Sequence, residues 1–117
     1  MIQHVALETA RADAAACAEF FGLLGFAEVS PPEPLRDRAR WLESDGTQVH
    51  LLFADDPAVP PRGHVAVVAP DYDATLERLR AAGHEVDPRR EHWGSPRAYA
   101  RDPAGHLVEI MASPPGA

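Results

Sequence analysis

The sequence is poor in cysteine, in basic residues and in long apolar runs, and each shortage excludes a class of protein. Its single cysteine, Cys17, cannot form a disulfide within the chain, so a reducing cytoplasm is the expected location. Eleven basic residues stand against 18 acidic ones, and this negative balance argues against a nucleic-acid partner. No run of about 18 apolar residues is present, which argues against a membrane span.

What the chain does contain is the composition of one globular domain. Hydrophobic residues make up 45% and charged residues 25% of 117 residues, enough for one core and too few for two. The opening residues, MIQHVALE, lack a basic stretch followed by an apolar run, so we expect no secretory signal. We therefore expect a single domain over residues 1–117.

An internal repeat is the most informative feature of the sequence. HVAL at 4–7 returns as HVAV at 64–67, and DGTQVHLLF at 45–53 is echoed by PAGHLVEIM at 103–111. His64 follows His4 by 60 residues, and Glu109 follows His50 by 59. Because the offsets at the two ends of the unit agree, the sequence predicts a duplicated module.

Each copy reads as a strand, a helix and three further strands. Period-2 alternation and helical spacing predict helices at 11–23 and 71–81, with strands at 2–7, 26–29, 38–43, 47–53, 63–68, 84–86, 97–101 and 106–111. Both helices run towards a glycine, as helix C-termini commonly do. The large apolar residues predicted to fill the core between helices and sheets are Phe20, Phe21, Leu24, Trp41, Leu76 and Leu79.

The predicted architecture is an α+β fold of two βαβββ modules, with mixed sheets curled around a central cavity. Module 1 spans residues 1–54 and module 2 spans residues 63–112. The Pro- and Asp-rich segment 55–62 links them, and a frayed tail, 113–117, follows. His84 and His106, which do not share the symmetry of the repeat, are expected on the surface.

Four polar residues occupy the repeated positions of the strands. Side chains alternate across a strand, so His4, His50, His64 and Glu109 can point into one cavity if a pseudo-twofold axis relates the modules. Burying a carboxylate is costly unless it is paired or bound to a cation. Three imidazoles and a carboxylate suit a divalent ion such as zinc, nickel, iron or manganese. The pattern therefore predicts a metal site with these four ligands.

The paired HVAL and HVAV strands and the stretch HWGSPRAYARDPAGHLVEI, residues 92–110, resemble the vicinal oxygen chelate superfamily. This superfamily includes glyoxalase I, extradiol dioxygenases and bleomycin-resistance proteins. The resemblance covers nearly the whole chain and places the family's metal ligands on the same four residues. It implies a metal-dependent lyase or isomerase of the glyoxalase type, which captures neighbouring oxygens of a small metabolite, in a protein that is usually a homodimer.

The resemblance also suggests roles for residues around the ligands. Glu109 is the candidate general base, and Tyr99, ten residues earlier, is the candidate that orients an oxyanion. Arg40 stands ten residues before His50 and is interpreted as the repeat partner of Tyr99. The residues expected to bind or wall the substrate are Arg40, Trp93, Arg97 and Arg101. His50 departs from the family, since the bacterial glyoxalase I carries Glu there and the methylmalonyl-CoA epimerase carries Gln.

Two other functions stay open. The first is a metal-free binding protein of the bleomycin-resistance kind, in which Trp41, Trp93 and Tyr99 would wall a flat ligand. The second is an Fe(II) extradiol dioxygenase that uses His4, His64 and Glu109 as a facial triad. The sequence does not decide whether the ligands of one ion come from one chain or from two.

Overall fold

The computed structural model of the chain describes residues 1–116, so Ala117, the end of the predicted tail, lies outside the described part. Two short 3₁₀ turns lie at Arg11–Asp13 and Glu33–Leu35. The helices are α1 (Ala14–Leu23) and α2 (Tyr72–Ala81). The strands are β1 (His4–Thr9), β2 (Ala27–Val29), β3 (Ala39–Ser44), β4 (Thr47–Phe53), β5 (His64–Val68), β6 (Asp87–Arg89), β7 (Arg97–Arg101) and β8 (Leu107–Met111).

Both helices end in the same way, at a glycine in the left-handed region. Gly25 has φ 95° and Gly83 has φ 91°, and the next residue closes the turn in each case. The amide of Phe26 donates to the carbonyl of Phe21, and the amide of His84 donates to that of Leu79. A residue with a Cβ is strained at such a φ, which is why glycine stands at both ends.

The two modules form two four-stranded sheets of the same topology. The strand order is β1-β4-β3-β2 in the first sheet and β5-β8-β7-β6 in the second. In each sheet the outer pair, β1 with β4 or β5 with β8, is parallel, and the other pairs are antiparallel. The predicted α+β fold of two βαβββ modules with mixed sheets is confirmed.

Both sheets pack their inner faces on one core that the modules share. Phe20 and Phe21 of α1 and Leu79 of α2 are fully buried, and α1 contacts α2 directly. Val49 of β4 and Ile110 of β8 belong to the same cluster of buried side chains. Side chains alternate along a strand, so the neighbouring residues His50 and Glu109 lie on the faces turned away from this core. We call these the open faces of the two modules.

Three sequence predictions about placement are wrong. Residues 84–86 form no strand, because His84 completes the helix turn and stacks edge-on against Phe20, and β6 begins only at Asp87. Trp41 is not in the core but on the open face of module 1, since it pairs with His50. His106 is buried rather than on the surface, and its Nε2 donates to the carbonyl of Glu8 at 2.7 Å, joining the modules.

The helices within residues 1–116 are too short to cross a membrane. Both α1 and α2 have ten residues, and neither offers an apolar stretch of the length that a bilayer requires.

Candidate functional site

The four predicted metal ligands form two pairs, one on each open face. His4 and His50 are neighbours on module 1, and His64 and Glu109 are neighbours on module 2. Within residues 1–116 no group of three or more His, Cys, Asp or Glu side chains is arranged to hold one metal ion. The structure therefore brings the four residues together in pairs, and a single chain does not unite the pairs.

In the module 2 pair, an imidazole nitrogen faces a carboxylate oxygen. His64 Nε2 lies 3.1 Å from Glu109 Oε1, and His64 Nδ1 lies 3.0 Å from the carbonyl oxygen of Arg62. A carbonyl only accepts hydrogen bonds, so Nδ1 carries a proton. Nε2 of the neutral ring then presents a lone pair to an oxygen that also only accepts. Either a second proton or a cation must lie between these two atoms.

The other oxygen of Glu109 is held by Arg97. Arg97 Nε donates to Glu109 Oε2 at 2.8 Å, and both side chains are less than 10% exposed. The hydrogen bond to Glu109 raises the pKa of Arg97, so the guanidinium keeps its charge. Burial of Glu109 is thus compensated by an arginine within its own module, a partner that the sequence analysis assigned to substrate instead.

Tyr99 completes the module 2 half of the site. It lies opposite Glu109 in the β7–β8 ladder, and its hydroxyl oxygen accepts a hydrogen bond from Arg97 Nη2 at 3.0 Å. Its ring lies 5.6 Å from that of His64 and is flanked by the guanidinium groups of Arg89 and Arg97. The predicted neighbourhood of Tyr99 and Glu109 is therefore present in the structure.

In the module 1 pair, three aromatic rings are stacked side by side across the strands. The ring of His50 lies 4.0 Å from that of Trp41 at an angle of 2°, and 4.1 Å from that of His4 at 15°. Burial, and then the neighbouring His4, lower the pKa of His50, so this ring is neutral at neutral pH. Three flat rings in one stack form a rigid aromatic half of the site.

Hydrogen bonds define which nitrogens of the module 1 pair are free. Gln48 Nε2 donates to Glu43 Oε1 at 2.9 Å, so Gln48 Oε1 accepts from His50 Nε2 at 2.8 Å. His4 Nδ1 donates to Gln3 Oε1 at 2.7 Å. The contact of His4 with Gln3 uses Nδ1 and leaves Nε2 for other partners, whereas His50 has its Nε2 occupied by Gln48.

The two hairpins place different residues beside the ligands. Trp41 pairs with His50 and Tyr99 pairs with Glu109, so the repeat partner of Tyr99 is Trp41 and not Arg40. Arg40 pairs with Leu51, on the face packed against the helices, and its guanidinium lies 3.6 Å from Glu28. The structure thus does not bring Arg40 to the predicted ligands, because its side chain lies on the face of the sheet opposite to Trp41 and His50.

Two other predicted substrate residues lie at the edge of the site or outside it. Arg101 is exposed on the open face of module 2 and donates to the carbonyl of Gly105 at 2.9 Å. It lines, with Tyr99, a cavity of about 830 Å³. Trp93 donates from Nε1 to the carbonyl of Ser113 at 3.0 Å, an anchor to the segment after β8 rather than to Glu109.

Sequence reasoning missed two residues near the site, one that contacts a predicted ligand and one that contacts only the neighbouring Tyr99. Gln48 holds His50, and its position on β4 gave a signal, since it shares the alternating face of His50. Arg89 flanks Tyr99 from β6, and the misplaced strand at 84–86 hid this position. Gln48 lies on the same strand as His50, whereas Arg89 lies on the edge strand β6, two strands from Glu109.

The profile of a family described as Glyoxalase-like domain matches residues 4–111. No curated protein matches the chain. Among solved structures, a glyoxalase family protein from Bacillus anthracis is 25% identical, with a TM-score of 0.86 over 95% of this chain and 93% of that one.

Two further solved structures share the fold at lower identity. Lactoylglutathione lyase from Agrobacterium tumefaciens is 23% identical, with a TM-score of 0.73 over 95% of this chain and 92% of that one. A glyoxalase/dioxygenase from Nostoc punctiforme is 20% identical, with a TM-score of 0.75 over 97% and 91%.

Proposed function

Because this chain belongs to the glyoxalase-like domain family of the vicinal oxygen chelate superfamily, we propose that it is a glyoxalase-type metalloenzyme assembled from two copies. In this proposal, His4 and His50 of one copy and His64 and Glu109 of the other face each other across a homodimer. They would hold one divalent ion, whose charge would assist the isomerisation or cleavage of a small oxygenated metabolite.

The observation that carries the proposal is the distance of 3.1 Å between His64 Nε2 and Glu109 Oε1, two atoms that can both bind a cation. Two donors that each lie about 2.0–2.2 Å from one ion would stand about 3.0–3.5 Å apart. His64 also donates its other ring N–H to a backbone carbonyl, which is the usual arrangement of a metal-bound histidine. The residues on this open face thus fit two ligands of an ion.

Two donors do not complete a transition-metal site, and this is the reason for the second copy. Both open faces point away from the shared core, and His4 and Ala66 on them are exposed. A twofold axis that sets the module 1 face of one chain against the module 2 face of another would create two equal sites. Each site would then have four donors, three of them imidazoles.

The residues around the ion would divide the remaining work. A bound divalent ion supplies a positive charge that orients two neighbouring oxygens and stabilises negative charge as it develops. Glu109 keeps Oε1 directed away from Arg97, and Tyr99, opposite Glu109 in the ladder, has its hydroxyl on Arg97 Nη2. The stacked Trp41 and His50 rings form a flat aromatic surface, which favours the binding of a flat, unsaturated carbon skeleton. Arg101, exposed at the rim, suits an anionic end of the metabolite.

Complementation between two defective variants tests the proposal directly. His4→Ala breaks the module 1 half, and His64→Ala breaks the module 2 half. Each variant alone is expected to lose bound metal and activity. After the two are unfolded and refolded together, random pairing gives mixed dimers with one intact site, so about a quarter of the wild-type metal should return.

Elemental analysis and size-exclusion chromatography with light scattering provide the readouts. His84→Ala is the matched control, because this half-buried histidine stacks on Phe20 and lies off both open faces. Failure of the mixture to regain metal, although the wild type contains it, would contradict assembly across two chains. A wild-type protein that stays monomeric and metal-free after refolding with zinc would contradict the proposal as a whole.

A specific observation favours a second candidate function, the Fe(II) dioxygenase. His50 Nε2 is occupied by Gln48, and the ring is fixed between Trp41 and His4. If His50 is a stacking residue and not a ligand, the donors reduce to His4, His64 and Glu109. Two histidines and one carboxylate are the facial set of non-haem iron oxygenases, which leaves positions open for substrate.

Replacement of His50 separates the two candidates. His50→Phe preserves a flat ring between Trp41 and His4 but removes both nitrogens. Retention of one metal ion per site, with ring cleavage of catechol in air after Fe(II) is added, would support the dioxygenase. Loss of the metal would support the four-ligand site. Quenching of tryptophan fluorescence by a flat ligand in the presence of chelator would instead point to metal-free binding.

A further inference from the structure

Arg97 is the most highly connected side chain near the candidate site. Each of its three guanidinium nitrogens donates to a different acceptor: Nε to Glu109 Oε2 at 2.8 Å, Nη1 to the carbonyl of Arg90 at 2.9 Å, and Nη2 to the hydroxyl of Tyr99 at 3.0 Å. These acceptors lie on β8, on the loop before β7 and on β7 itself. The guanidinium is thus fixed from three directions while it is 8% exposed.

This fixation distinguishes the two oxygens of Glu109. Oε2 is occupied by Arg97, and Oε1 is directed at His64 Nε2, 3.1 Å away. A carboxylate can bind an ion through one oxygen or through both. Arg97 takes one lone pair of Oε2 and fixes the orientation of the carboxylate, so Oε1 is the oxygen that faces His64.

We propose that Arg97 is a positioning residue that makes Glu109 a ligand through one oxygen. It acts through Glu109, because its Nε donates to Glu109 Oε2 and its guanidinium is held between three acceptors of its own module. The proposal rests on the metal site described above and adds to it the way in which Glu109 engages the ion.

Exposed Arg89 on β6 offers a matched control for Arg97. Its guanidinium carbon lies 5.3 Å from the centre of the Tyr99 ring, close to the 5.1 Å of Arg97. Arg89 pairs with Asp87 at 2.8 Å rather than with Glu109. Replacing Arg89 therefore removes a positive charge near Tyr99 and leaves the hold on Glu109 intact.

Cobalt(II) titration of the full-length protein, followed by visible absorption, tests the proposal. Arg97→Lys retains the positive charge but cannot make the three guanidinium hydrogen bonds, and Arg97→Gln removes both the charge and these bonds. Both variants are expected to bind cobalt about 10–100-fold more weakly, the usual cost of losing a partner of a metal ligand. The visible absorption of each bound cobalt ion should also weaken. Without Arg97, Glu109 is expected to bind through both oxygens, which raises the coordination number of cobalt and lowers its absorption. Arg89→Gln should stay within about twofold of the wild type.

An Arg97→Lys protein with wild-type cobalt affinity and spectrum would overturn the proposal, since charge alone would then be sufficient. Circular dichroism melts identify variants that fail to fold. A metal-free measurement covers that case: in ¹⁵N-labelled wild-type protein, the Nε–H signal of Arg97 should be protected from exchange and should move in Glu109→Gln.

The two measurements separate this proposal from the proposed function. If the wild type takes up no cobalt but the Arg97 signal is protected and responds to Glu109→Gln, the metal site is refuted and the hold on Glu109 stands. If the Arg97 signal exchanges freely or ignores Glu109→Gln, the positioning role is refuted whether or not cobalt binds.

Discussion

Arg97 and Glu109 form a buried ion pair across neighbouring strands, with Nε 2.8 Å from Oε2. Arg97 pairs in the β-ladder with Met111, so the contact runs diagonally to Glu109 on the same open face. Two opposite charges that are buried together avoid most of the cost that either charge would incur alone. The pair is therefore both a structural element of module 2 and the support of a candidate ligand.

Removing one member of this pair should destabilise the protein strongly. Arg97→Met leaves a buried carboxylate without its partner and is expected to cost about 3–5 kcal/mol. Adding Glu109→Leu to this variant should recover most of the loss, because no isolated charge then remains. Urea denaturation of the two single variants and the double variant measures the coupling. Additive effects of the two substitutions would contradict a direct interaction.

The cysteine should be unreactive while the protein is folded. Cys17 is fully buried in α1, and burial, with a smaller effect of Asp102, raises the pKa of its thiol to about 12. The thiolate is the reactive form, so a thiol reagent must wait for unfolding. At pH 8 the reaction should be at least about 1,000-fold slower than in guanidinium. Fast labelling of the native protein would show that α1 opens locally.

Asp102 should make stability depend on pH in an unusual direction. Burial raises the pKa of this carboxyl above its ordinary value of 3.8. The folded state then binds the proton more tightly than the unfolded chain, so this contribution is complete at low pH and is lost as pH rises through the folded value.

Asp102→Asn tests this sign. Asn keeps the Oδ1 acceptor that receives the amides of Ala104 and His106, but it does not titrate. The stability of the wild type relative to the variant should therefore fall as pH rises above the ordinary carboxyl pKa of 3.8. Urea midpoints at several pH values provide the measurement. Parallel pH profiles for the two proteins would contradict a raised pKa at Asp102.

Two glycines offer a test in which the same substitution has opposite effects. Gly46, with φ 80°, forms the β3–β4 turn together with Asp45, with φ 49°, whereas Gly22 lies inside α1. A Cβ would meet nothing within 4 Å at either glycine, so only backbone conformation differs. Gly46→Ala should cost about 1–2 kcal/mol, and Gly22→Ala should gain about 0.5–1 kcal/mol. Thermal melts measure both, and equal signs would refute the backbone argument.

The fold could be predicted from the sequence because of the internal repeat. A strand or helix predicted in one module had to recur at the equivalent position of the other. Strand β4, at Thr47–Phe53, and strand β7, at Arg97–Arg101, begin and end where alternation placed them. Strand β6 could not be placed in this way. It contains Pro88, and only its position at the sheet edge, where a missing amide is tolerated, makes a strand possible there.

The candidate site was predictable in its polar residues but not in their arrangement. Alternation placed His50 and Glu109 on open faces, yet the difference of one residue between the two hairpins put Trp41 beside His50 where Arg40 was expected. Hydrogen bonds between distant strands, such as those of Arg97, depend on side-chain conformations that no local pattern encodes. Whether the module 1 open face meets the module 2 open face of the same chain or of another chain depends on how the modules pack. The internal repeat does not determine this packing.

The shared core has a consequence for how the protein responds to ligands. Because Phe21 and Leu79 belong to one cluster of buried side chains, we expect the two modules to unfold together. Both open faces are then lost in one cooperative unfolding transition. A molecule that binds to one face of the folded protein therefore raises the free energy of unfolding of the whole chain. A thermal-shift screen can therefore detect occupancy of either face without a label, an assay or knowledge of the chemistry performed there.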